Sequence, residues 1–109
     1  MAIHLPTPIA EYFTADQSRS AEAVAACFAA DAIVIDEGHT HAGRSAIREW
    51  MASSSIKYTY TVEPFAIEPE GLRIVVTSHL AGAFPGSPTD LRYIFELADG
   101  KIAQMEIVP

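Results

Sequence analysis

Cysteine is nearly absent: Cys27 is the single one in 109 residues. No internal disulfide can form, so the chain carries no mark of an oxidising compartment. Basic residues are also few, with seven Lys and Arg against 14 Asp and Glu and a formal net charge of -7. No basic run offsets that excess. Phosphate backbones and anionic bilayers repel such a chain, which excludes nucleic acid and membrane as favoured partners. No basic segment followed by an apolar stretch opens the chain; Pro6 and Pro8 stand in its place. The longest apolar run, from Ala23 to Ile35, is broken by Asp31 and is too short to cross a bilayer. There is no glycine-rich phosphate loop, no Gly-x-Ser-x-Gly elbow, no internal repeat and no linker. These absences predict a cytoplasmic protein, with residues 1–109 forming one domain.

What is present is apolar material. Half of the residues are hydrophobic and 19% are charged, which suffices for one core. Thr7 and Pro8 open a helix, Thr7 as cap and Pro8 in the first turn. Ile9, Tyr12 and Phe13 then recur at helical spacing until the helix fades near Asp16. Ser18 or Ser20 caps a second helix over Ala21–Ala29, with Val24, Cys27 and Phe28 as its buried stripe. Ala32–Ile35 is a β-branched strand, His39–Ala42 a short return strand, and Arg44–Ser53 a third helix that turns Ile47, Trp50 and Met51 inward.

Beyond Ser55 the texture changes to long strands. Ile56–Glu68, Leu72–Phe84, Thr89–Ala98 and Lys101–Val108 are separated by turn clusters, of which Asp99-Gly100 is a two-residue hairpin signal. Strands of this length coil, and Pro64 and Gly82 are kink points. The predicted fold is therefore α+β and cone-shaped. Three N-terminal helices pack on the concave face of a strongly curved, mostly antiparallel sheet, and the cone encloses a pocket. Leu72, Ile74, Val76 and Leu80 put apolar groups on one face of the Leu72–Phe84 strand, and Val75, Ala81 and Ala83 put them on the other. A sheet buried on both faces needs a second cover, which predicts a homodimer through the convex face.

Several side chains are candidates for the pocket. Trp50, Tyr58, Tyr60, Phe84, Tyr93 and Phe95 would supply aromatic walls, suited to a small apolar or cyclic ligand. Val34 and Asp36 share a strand face, so Asp36 follows Val34 toward the cavity. An acid against an apolar cavity has a raised pKa and can take a proton from carbon or water. His39 and His41 share one strand face at a spacing a metal accepts, with Glu37 or His79 as a third ligand, but no signature of fixed ligand count is present, and neither metal nor other cofactor is expected. Asp90 and Arg92 form a surface pair, unless Arg92 turns inward to hold an anionic group. Cys27 lies on a helix stripe and reads as core.

Taken in order, two helices, Phe28-Ala-Ala-Asp-Ala-Ile-Val-Ile-Asp36, Gly43-Arg-Ser-Ala-Ile-Arg-Glu-Trp50 and a meander closed by Phe95-Glu-Leu-Ala-Asp-Gly-Lys-Ile102 resemble the nuclear-transport-factor-2-like superfamily. Within it the chain is most similar to the SnoaL-like group, related to polyketide cyclases and ketosteroid isomerases. The resemblance covers nearly the whole chain and implies the cone fold. By comparison with ketosteroid isomerase it places Asp36 at the position of the catalytic base and Tyr12, at an ungapped separation from Phe28, at that of the oxyanion tyrosine. Phe28 is counted with the substrate-binding residues. The partner acid of that enzyme is replaced by Tyr93 or Arg92, a supporting tyrosine by Met51, and a proline by Glu37. The implied activity is a cofactor-independent isomerase or cyclase-type reaction on an apolar carbonyl compound. The alternative is a non-catalytic ligand-binding or dimerisation module of the same fold.

Overall fold

Proline sets where the chain first turns helical. In the computed structural model, which describes residues 3–57 and 59–109, Pro6 is the cap of helix α1 (Thr7–Gln17) and makes no side-chain capping bond. Thr7 is therefore the first helical residue and not the cap. Pro8 occupies the first turn as expected. Helix α2 (Ala21–Ala26) is capped by Ser20, whose hydroxyl accepts from the Ala23 amide at 3.1 Å.

α2 ends three residues earlier than its sequence predicts. Cys27 closes it and Phe28 already begins strand β1 (Phe28–Asp36). The reason is non-local: β1 pairs in parallel with the last strand, β6 (Lys101–Val108), Phe28 opposite Ile102, and the Ile102 amide donates to the Cys27 carbonyl at 3.0 Å. This pairing draws Phe28-Ala29-Ala30 out of a helix that local propensity alone would extend. Strand β2 (His39–Ala42) returns antiparallel to β1, and α3 (Arg44–Lys57) runs four residues past the expected Ser53.

The meander follows as β3 (Tyr60–Glu70), β4 (Arg73–Gly82) and β5 (Thr89–Ala98), ending in β6. The open six-stranded sheet has the order β2-β1-β6-β5-β4-β3, antiparallel except for β1 with β6. The β3–β4 turn is shorter than expected: Pro69 and Glu70 pair with Ile74 and Arg73, leaving Gly71 and Leu72 at the tip, and β4 stops at Gly82, before Phe84. Of the two expected kink points, Pro64 sits at a register shift between β3 and β4, and Gly82 marks a close approach of backbones. At Gly82 any Cβ would collide with the Thr59 carbonyl and the Tyr60 backbone.

The helices cover one face of this sheet. Ile9, Tyr12 and Phe13 of α1, Val24 of α2, and Ile47 and Met51 of α3 share a single core with Val34, Val76, Phe95, Ile102 and Met105. The opposite face is more polar than the Leu72–Phe84 pattern suggests. Arg73 meets Glu96 at 3.8 Å and His79 meets Asp90 at 2.8 Å, while Val75 and Ala81 lie between such polar neighbours. No helix among the described residues is long and apolar enough to cross a membrane.

Candidate active site

The helices and the inner sheet face do not fill the space between them. A cavity of about 710 Å³ remains where α1, α3, the β1–β2 turn and the inner faces of β4, β5 and β6 converge. Its interior is lined by Tyr12, Met51, Tyr60, Leu80, Tyr93 and Ile107, and its polar side by Asp36, Glu37, His39, His41 and Glu49, with Trp50 between them.

Asp36 is the last residue of β1 and pairs with His39 on one side and Ile107 on the other. The two-residue strand period carries it from the buried Val34 to the cavity wall, where it is half-buried. The indole N–H of Trp50 donates to its Oδ2 at 3.0 Å. Burial raises the Asp36 carboxyl from its ordinary value, with a smaller push from Glu37, while the Trp50 bond and the imidazoles of His41 and His39 pull the other way. Two arginines that follow Asp36 in sequence are engaged elsewhere: Arg44 donates to the Phe28 carbonyl at 2.8 Å, and Arg48 pairs with Glu22 at 3.2 Å. Trp50, expected only as a wall, thus also orients the carboxylate.

Tyr12 is 2% exposed, and its ring stands edge-on to Phe13, Phe28 and Phe95 at 5.1, 5.9 and 6.0 Å. Tyr93, 3% exposed, lies with its ring centre 6.3 Å from that of Tyr12. Both line the cavity, and neither hydroxyl bonds to another described residue. Burial, with Asp16 next, drives both phenols well above their ordinary range, so they stay protonated donors at neutral pH.

Other candidates divide. Phe84 lines the cavity beside Tyr60, with ring centres 6.2 Å apart. Phe28, expected on the stripe of the second helix, and Phe95, expected as a strand aromatic, are both fully buried against Tyr12 and are not among the lining residues. Tyr58 lies outside the described residues. Arg92 is exposed on the outer face, its Nε donating to the Pro109 carbonyl at 3.3 Å, so Tyr93 faces the cavity and Asp90 pairs with His79 instead. No group of three or more His, Cys, Asp or Glu among the described residues is placed to hold a metal ion. Cys27 is buried, and its thiol donates to the Ala23 carbonyl at 3.4 Å.

One residue escaped sequence reasoning. Asp16, 7% exposed, accepts from the Tyr60 hydroxyl at 3.4 Å, and burial raises its carboxyl to about 6. The signal was available, since Asp16 follows Tyr12 and Phe13 by four and three positions and continues their stripe.

The segment from Ile9 to Met105 matches the family model for the SnoaL-like domain, residues 9–105. The chain belongs to this family. Among solved structures, this SnoaL-like domain is similar to a candidate polyketide cyclase from Sinorhizobium meliloti, with 39% identity, a TM-score of 0.89 and 94% of each chain covered. It is also similar to a protein of ketosteroid isomerase-like fold from Catenulispora acidiphila, in complex with trimethylamine, at 18% identity and a TM-score of 0.86, over 97% of this chain and 87% of that one. A third neighbour is an epoxide hydrolase/cyclase-like enzyme of pyran ring formation in the polyether salinomycin, at 23% identity and a TM-score of 0.77, over 94% and 87%. The last two likenesses establish the fold alone. No curated protein matches the SnoaL-like domain significantly.

Proposed function

We propose that this SnoaL-like domain binds a small, mostly apolar, cyclic carbonyl compound and catalyses proton transfer next to its carbonyl without a cofactor, as an isomerase or cyclase-type enzyme. Asp36 is the general base. It removes a proton from the carbon beside the carbonyl, and the electron pair moves onto the carbonyl oxygen. Tyr12 and Tyr93 donate to the resulting enolate oxygen, and the proton returns from Asp36 to carbon, at the same or a conjugated position. The observation that carries this reading is the half-buried Asp36 carboxylate, fixed by Trp50 at 3.0 Å on the wall of a cavity that two unpartnered phenols also line. The 39% identity to a candidate polyketide cyclase supports the same reaction class.

The test is α-proton exchange. An acetonaphthone in deuterated buffer should gain deuterium beside its carbonyl faster with the protein than without. Asp36→Asn should abolish the gain and leave affinity within a few-fold. Binding without exchange in the native protein would make the domain a ligand-binding module instead. The proposal includes a homodimer through the convex face, supported by the half-buried Ala81 and Ile94 among its polar residues. Sedimentation showing only monomer would remove that part.

A further inference from the structure

The fixed negative charge around the cavity is not offset by a permanent cation. Asp36, Glu37 and Glu49 line it beside the imidazoles of His39 and His41, while no Lys or Arg does among the residues whose side chains are described. Glu37 and Glu49 come from different elements, the β1–β2 turn and α3, and both are exposed at the rim. Aromatic rings stand inside that rim: Trp50, Tyr60, Phe84 and Tyr93. Carboxylates above aromatic faces attract a cation through charge and through the ring quadrupole, and they repel an anion. The far wall asks for something different. Tyr12 and Tyr93 are 2% and 3% exposed, and their hydroxyls, without a partner among the described residues, offer donors to an acceptor oxygen.

From this polarity we infer that the cavity selects a cyclic carbonyl compound bearing a basic nitrogen at the end opposite its carbonyl, and rejects the carboxylated analogue. The inference rests on the ligand cavity proposed above and adds its charge preference. The oxygen end meets Tyr12 and Tyr93, the ring body meets the aromatic walls, and the ammonium lies in the field of Glu37 and Glu49. Rim charges act across solvent, so the preference weakens as salt rises.

Three acetonaphthones that differ only at one distal carbon, carrying aminomethyl, hydroxymethyl or carboxylate, test this by calorimetric titration. The measurement is made at pH 8, above the ordinary range of imidazole, in low salt. The aminomethyl compound should bind about tenfold or more tighter than the carboxylate, with the alcohol between them. Glu37→Gln with Glu49→Gln should shrink that ratio severalfold while changing the alcohol's affinity less than that of either charged compound. Equal affinities, or a tighter carboxylate, would overturn the charge preference and leave the cavity reading standing. Failure of all three to bind would overturn the cavity reading, and this inference with it.

Discussion

The indole nitrogen of Trp50 lies 3.0 Å from Oδ2 of Asp36, joining α3 to the end of β1. A donor on a carboxylate favours its charged form. Trp50→Phe removes the donor while keeping most of the ring, so the Asp36 pKa should rise further. Carbon-detected NMR of the Asp36 carboxyl reads the shift directly, and the acid limb of any pH–rate profile should move to higher pH with it. An unchanged or lower Asp36 pKa would separate the two residues.

Asp16 gives the clearest pH dependence of stability. Its carboxyl rises from 3.8 to about 6 on folding because burial disfavours the charge. The folded state therefore holds its proton more tightly than the unfolded state, and stability falls as pH climbs through the interval between those values. The full effect is about 3 kcal/mol, present below the lower value and lost above the upper one. Asp16→Asn should leave stability near pH 4 little changed and raise it at pH 7 to 8. Denaturant melts at the two pH values would show this, and a loss at both would contradict it.

The two cavity phenols should matter to rate and not to folding. Tyr12→Phe or Tyr93→Phe deletes a hydroxyl that satisfies no described group, so stability should change by no more than about 0.5 kcal/mol. The exchange rate should drop about 100-fold for each, the usual cost of one oxyanion donor. A large fall in melting temperature would mean the hydroxyls hold the fold instead.

Gly82 is a steric requirement. Gly82→Ala sets a methyl against the Thr59 carbonyl and the Tyr60 backbone, neither of which is the loose end of a flexible side chain. The expected loss is about 1–3 kcal/mol, as for other overpacked sites. Tyr60 lines the cavity, so the displacement should also weaken ligand binding, which a Kd measured well below the melting temperature would reveal.

Much of this architecture was legible in particular residues. Asp99 and Gly100 have φ of 53° and 75°, the backbone a tight hairpin needs and the one their types favour. Ile9, Tyr12 and Phe13 marked the buried side of α1, and Val34 showed which way Asp36 turns. What the local pattern missed lay in distant partners. Phe28 has nothing near it in sequence to show that Ile102 will pull it into a strand. Period two puts Phe95 and Tyr93 on the same face, yet it says nothing of depth, so the ring that stops behind Tyr12 and the ring that reaches the cavity look alike. Asp16 was hidden by its type, because an acid on an apolar stripe is unusual enough to read as the stripe's end.

Asp36 is bracketed by His39, its near neighbour in the chain, and by Ile107, close to the other end of the molecule. The position of the carboxylate thus depends on the final strand as much as on its own. A change in the ladder around Ile107 would therefore move the Asp36 carboxylate although the two residues lie far apart along the chain.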